Sequence, residues 1–203
     1  CHMTKVKTCG LRRAEDIAFA NELMPDYVGF VFAKASKRYV SPEEAKKLKR
    51  MLNPNICAVG VFVNEPMEQM LALIESGIID AIQLHGAETQ ETVRALKVKT
   101  QAPIIQAFRI ATSEDVRLAE QSAADFILLD HGGGGTGESF DWSLLDGIKR
   151  PFFLAGGLSA ENADEAIARY KPYAVDSSSK LETDGVKDYK KMKAFVEAVR
   201  QNG

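Results

Sequence analysis

The run Ile56-Cys57-Ala58-Val59-Gly60-Val61-Phe62-Val63 is apolar from end to end and stops at Asn64. A strand with one face in water alternates apolar and polar residues. A strand covered on both faces has no such need, so this run is expected inside a parallel sheet. Residues 66–76 follow with helical spacing, opened by Pro66 and stopped at Gly77, and Ala81-Ile82-Gln83-Leu84 forms the next short apolar run. Strand, helix, strand in this order is the parallel crossover unit.

The same unit recurs on both sides of this stretch. Toward the N-terminus, residues 5–9 and 27–32 are strands and 13–23 a helix; a second helix opens at Pro42 behind a Ser41 N-cap and runs to about residue 52. Toward the C-terminus, helices over 89–99, 113–121, 160–170 and 189–200 alternate with strands over 104–108, 126–129 and 152–155. The eighth strand is centred on Ala174-Val175. Eight such units predict an α/β fold, a single-domain (β/α)8 TIM barrel over residues 3–203, at the short end of that fold's size range. The rival, an open doubly wound sheet, usually has fewer strands and a single switch point. Cys1-His2-Met3 has the pattern of a cloning remnant, with Met3 the natural start.

Composition narrows the function classes. With 45% hydrophobic and 27% charged residues, a net charge of −2 and a pI near 6.0, the chain has no compositional support for binding nucleic acid. No signal peptide and no membrane-spanning run is visible, which points to a cytoplasmic protein. Three cysteines at positions 1, 9 and 57 suit neither a disulfide framework nor a zinc site, and no metal-ligand spacing links His85 to His131. Neither a metal nor a cofactor is expected.

In a closed barrel the active site lies where the strands end. The residues there are Cys9; Arg38 just beyond strand two; Asn64; Gln83 and His85; Gln106 and Arg109; Asp130; Gly156-Gly157; and Asp176 with the serines at 177–179. Some of these simply mark where the chain leaves the core. A carboxylate closing Phe126-Ile127-Leu128-Leu129 must be solvated, paired or functional, since an unpaired buried charge is costly. Cys57 lies at the entry of its strand and is expected to be an inert structural thiol. The glycines of 132–137 suit either a lid or a plain loop; no P-loop lysine accompanies them. Gly156-Gly157 and the serines after strand eight occupy the loops that recurrently bind phosphate in this fold.

Several of these stretches together resemble the phosphoribosylanthranilate isomerases. They are Lys7-Thr8-Cys9-Gly10, Ser36-Lys37-Arg38-Tyr39-Val40-Ser41-Pro42, Gln83-Leu84-His85-Gly86, Leu128-Leu129-Asp130 with Gly135-Thr136-Gly137 and Phe140-Asp141-Trp142, Ala155-Gly156-Gly157-Leu158, and Val175-Asp176 with its serines. They span nearly the whole chain in the family's order. The resemblance implies a tryptophan-biosynthesis isomerase that carries out the Amadori rearrangement of N-(5-phosphoribosyl)anthranilate to the 1-deoxyribulose 5-phosphate. It further implies that Asp130 protonates the ring oxygen, Cys9 removes the C2′ proton and Arg38 holds the anthranilate carboxylate. Gly156, Gly157, Ser178 and Ser179 would cradle the phosphate, with Gln83 and Asp176 in the substrate pocket. A cation such as Arg38 would favour ionised Cys9.

One departure is Lys180, where the family usually has glycine; lysine does not readily take positive φ. The competing readings are another phosphosugar barrel and a non-catalytic protein that binds a phosphorylated ligand. An indoleglycerol phosphate synthase would use a lysine-based acid, and no strand is expected to end in one near positions 9 or 130. A histidine-pathway isomerase would carry a carboxylate where this chain has Cys9. The oligomeric state is not legible.

Overall fold

In a computed structural model, which describes residues 3–130 and 142–202, eight parallel strands close on themselves in sequence order. They are β1 (Lys5–Cys9), β2 (Tyr27–Val31), β3 (Cys57–Phe62), β4 (Ala81–Leu84), β5 (Ile104–Arg109), β6 (Phe126–Asp130), β7 (Phe152–Ala155) and β8 (Ala174–Ser177). Around them lie α1 (Ala14–Leu23), α2 (Pro42–Met51), α3 (Met67–Glu75), α4 (Gln90–Lys99), α5 (Ser113–Glu120), α6 (Ala163–Tyr170) and α7 (Tyr189–Asn202). Between β6 and β7 the described residues hold only a 3-10 turn, Trp142–Leu145. The glycine loop and His131 lie outside the described residues. Among those described, no helix is long and apolar enough to cross a membrane.

Two-residue alternation sorts each strand's side chains between two cores. One set, including Val6, Val28, Phe30, Phe62, Ile82 and Leu129, packs outward against the helices. The other, including Val59, Ala81, Ile105, Leu128 and Phe153, fills the barrel interior. The end where the strands begin is closed by aromatic rings: Tyr27, Phe126, Phe153 and Tyr173 pack at 5.0–6.5 Å between centroids, and the Tyr27 and Tyr173 hydroxyls are 2.6 Å apart. With that end plugged, an opening can form only where the strands finish.

Helix starts follow local chemistry. Ser41 Oγ accepts from the Glu44 N–H at 3.1 Å while the Glu44 carboxylate reaches back, a reciprocal cap worth about 1 kcal/mol. Pro66 is the residue before α3 and not its first turn. The helix expected from residue 160 starts at Ala163, because Asn162 folds back to accept from the Ser159 N–H and to donate to the Gly157 carbonyl. After β8 comes a 3-10 turn, Ser179–Leu181, and then a small hairpin, β9 (Glu182–Thr183) and β10 (Val186–Lys187), turning at Asp184-Gly185.

Candidate active site

At the open end lies a cavity of about 370 Å³, a size suited to a small ligand. Every residue expected at the site lines it: Cys9, Arg38, Gln83, Asp130, Asp176, and the Gly156-Gly157 and Ser178-Ser179 pairs. Three strand-end residues, Asn64, Gln106 and Arg109, do not line it. Gln106 faces the helices and bonds Gln90 and Ser122, at 2.8 and 2.6 Å, while the Asn64 side chain accepts from the Ala87 N–H. Residue parity turns Gln106 away from the opening, since it falls between inward-facing Ile105 and Ala107.

Cys9 closes β1 with its side chain toward the cavity, beside Val31, Val61 and Ala33. Opposite it on β2 stands Gly29, where a Cβ would come within 2.4 Å of the Cys9 sulfur; only glycine leaves the thiol its space. Burial pushes the Cys9 thiol above its usual range, and the Lys7 ammonium opposes this first, Lys187 less. Arg38 also interacts with the thiol, as expected from sequence, but Lys7 and Lys187 act on it more strongly.

Asp130 ends β6, which is three strands from β1 around the closed barrel, so the carboxylate and the thiol face one another across the opening. His85 Nε2 lies 3.8 Å from Asp130 Oδ2, and the Gln83 amide donates to His85 Nδ1 at 3.0 Å. That contact leaves the imidazole proton on Nε2, toward Asp130. Burial holds His85 below the usual histidine range despite the nearby carboxylate, so the ring is neutral at pH 7.

Arg38 is positioned by a folded-back segment after β2, in which the Val40 N–H donates to the Val31 carbonyl and the Arg38 N–H to Ser36 Oγ. Its guanidinium forks onto Glu182, with both contacts at 2.8 Å, and Lys187 Nζ meets the same carboxylate at 2.6 Å and the Ser178 carbonyl at 3.1 Å. Burial acts to raise the Glu182 carboxyl, but Arg38 and Lys187 outweigh it and hold it below the carboxylate range. Neither Glu182 nor Lys187 was singled out from sequence. The signal available was Asp184-Gly185, a hairpin dipeptide that folds this segment back over the opening.

In the loop after β7, Gly156 and Gly157 take φ values of 102° and 70°, a turn that side-chain-bearing residues resist. Ser177 Oγ donates to the Leu158 carbonyl at 2.6 Å, pinning the loops after β7 and β8 together. Lys180 sits in the 3-10 turn without positive φ, so the strain expected at this departure does not arise. Cys57 lies at the plugged end, half-buried, its thiol pushed up to about 11 by burial and then by Asp80, in keeping with an inert role.

The N-(5′-phosphoribosyl)anthranilate isomerase family model matches residues 6–198. This chain belongs to that family. The isomerase of that name from Thermoanaerobacter sp. is 48% identical to this chain over 204 residues, with 98% of each covered. The crystal structure of phosphoribosyl anthranilate isomerase from Thermotoga maritima superposes with a TM-score of 0.90 at 38% identity, covering 98% of this chain and 100% of that one. A family structure in complex with reduced 1-(o-carboxyphenylamino)-1-deoxyribulose 5-phosphate gives 0.87 at 38% identity, with the same coverage.

Family membership does not rest on the argument from a missing lysine. Lys7 is wholly buried inside the barrel, 2.9 Å from Asp176 Oδ2 and two residues before Cys9 on the same face. The isomerase assignment stands on the full-length match.

Proposed function

We propose that this chain catalyses the Amadori rearrangement of N-(5′-phosphoribosyl)anthranilate to 1-(2-carboxyphenylamino)-1-deoxyribulose 5-phosphate, with Asp130 as general acid and Cys9 as general base. One observation carries the reading. A carboxyl, a thiol, an arginine and a paired glycine–serine cradle line a single cavity. The substrate has a carboxylate at one end and a phosphate at the other, with the reacting carbons between them.

In this reading the phosphate sits against Gly156, Gly157, Ser178 and Ser179, where positive-φ backbone and short side chains allow N–H groups to approach an anion. The anthranilate ring lies along Val31, Val61 and Val63, and its carboxylate reaches the guanidinium edge of Arg38 that Glu182 leaves uncovered. Gln83 and Asp176 line the floor beneath the ribose. Asp130 gives its proton to the ring oxygen, the C1′–oxygen bond breaks, and a protonated Schiff base forms. Cys9 then takes the C2′ proton; the electron pair moves toward nitrogen and leaves an enolamine. Protonation at C1′ with loss of the enol proton yields the ketone. The oxidised and reduced carbons belong to one molecule, so the chemistry calls for no redox cofactor. A free thiol base suits a reducing, cytoplasmic setting.

The test generates phosphoribosylanthranilate in situ from anthranilate and phosphoribosyl pyrophosphate with the upstream transferase, then follows its fluorescence. Rapid loss of signal on adding the wild-type chain is expected. Unchanged fluorescence with intact binding of phosphorylated sugars would defeat the assignment.

A further inference from the structure

The barrel interior contains a buried charge pair that takes no part in the proton transfers above, although Asp176 lines the pocket floor. Lys7 shows no exposed side-chain surface, and its Nζ lies 2.9 Å from Asp176 Oδ2. Strand register sets the two at one level, Lys7 on β1 opposite Asp176 on β8. The pair is only half satisfied, because Asp176 Oδ1 is buried without a hydrogen-bond partner. Buried ion pairs of this kind add little stability, and well-packed apolar residues of similar volume often replace them without loss. Retaining one directly beneath the opening needs another reason.

Cys9 supplies that reason. It follows Lys7 by two residues on the same face of β1, so the two side chains enter the barrel interior side by side. The other charged groups acting on the thiol come from β8 (Asp176), β10 (Lys187) and the segment after β2 (Arg38). Lys187 and Arg38 are both drawn onto Glu182 at 2.6–2.8 Å. The barrel floor thus leaves Lys7 as the cation that can follow a charge change at Cys9. A wholly buried lysine would tend to lose its proton; Asp176, together with Cys9, outweighs burial and holds the ammonium above the usual lysine range.

We propose that Lys7 and Asp176 are a positioning pair: Asp176 keeps Lys7 charged, and the Lys7 ammonium stabilises Cys9 as a thiolate. The electrostatic part rests on the placement of the Lys7–Asp176 pair beside Cys9 in the barrel interior; its catalytic meaning rests on the reading of Cys9 as the base. Lys7 holds a charge at the thiol and exchanges no proton with substrate.

The experiment reads Cys9 directly, in a Cys1→Ser/Cys57→Ala background where it is the one thiol. Thiolate absorbance and alkylation rate are followed against pH for the background protein, Lys7→Gln, Lys7→Arg and Lys7→Met/Asp176→Leu. The double variant removes both charges and is expected to melt at or above the background temperature. In Lys7→Gln the Cys9 titration should move up by about one to three units, with Lys7→Arg restoring most of the shift; in the double variant the rise should be smaller, because the opposing Asp176 charge is removed as well. A titration within about 0.3 unit of background in Lys7→Gln, or a double variant that no longer folds, would overturn the proposal and make the pair structural; about 0.3 unit is a twofold change in ionisation. The pH profile of kcat/KM separates the two readings. If the thiol titration moves while the basic group in the rate profile stays put, the pair acts as proposed and Cys9 is not the base.

Discussion

Replacing Gly29 with alanine tests the geometry around the thiol with one methyl group. The new Cβ would lie 2.4 Å from the Cys9 sulfur and 3.2 Å from the Cys9 Cα. Unstrained contacts between heavy atoms need about 3.5–4.0 Å, so the sulfur must retreat by more than about 1 Å. The backbone has little freedom to retreat instead. Strand β2 is paired on both sides, and the Gly29 carbonyl accepts from the N–H groups of both Gly10 and Leu11, at 3.0 and 3.1 Å. Overpacking of this kind costs about 1–3 kcal/mol of stability. Misplacing a reacting group by about 1 Å costs on the order of 10²-fold in rate, about 2.7 kcal/mol of transition-state stabilisation. Urea denaturation reads the first effect and kcat/KM from the fluorescence assay the second, below the unfolding transition. A folded Gly29→Ala protein with kcat/KM within twofold of wild type would show that the Cys9 position does not matter to the reaction.

The Arg38–Glu182–Lys187 contact makes two further expectations. Glu182→Gln loosens the fork on Arg38, so KM should rise by about tenfold with kcat little changed, as for a charge-assisted contact that only positions. Glu182 also titrates below its ordinary 4.5 in the folded chain, so its contribution to stability is full above pH 4.5 and is lost as the pH falls through the folded value. In Glu182→Gln, urea stability should therefore fall less steeply below pH 4.5 than in wild type. His85→Asn should lower kcat at nearly constant KM, since His85 orients Asp130; an increase in KM alone would place His85 in binding.

The strand cores were legible because burial on both faces leaves continuous apolar runs, as in Ala58-Val59-Gly60-Val61-Phe62. The ends were less so: β8 extends beyond Ala174-Val175 through Asp176 and Ser177, whose polar side chains point into the barrel or bond the neighbouring loop. Hairpin β9–β10 is too short for periodicity to register. The residues expected at the site could be found because the fold gathers strand ends in one place. Lys7 could not, since hydropathy counts a lysine as surface; only its parity with Cys9 reveals that it faces inward. Glu182 reaches the site through its tertiary contact with Arg38, 144 residues away in sequence, and Lys187 through Glu182 and Ser178.

The account's central claim is that Cys9 and Asp130 divide the acid–base work, and turnover against binding in Cys9→Ser and Asp130→Asn tests it most directly. Each variant should lose at least about 10²-fold in kcat, as removal of a general acid or base implies. Calorimetry with a reduced, non-reacting product analogue should show affinity within a few-fold of wild type. Either variant retaining near-wild-type kcat with the substrate bound would remove that residue from the mechanism and contradict the account.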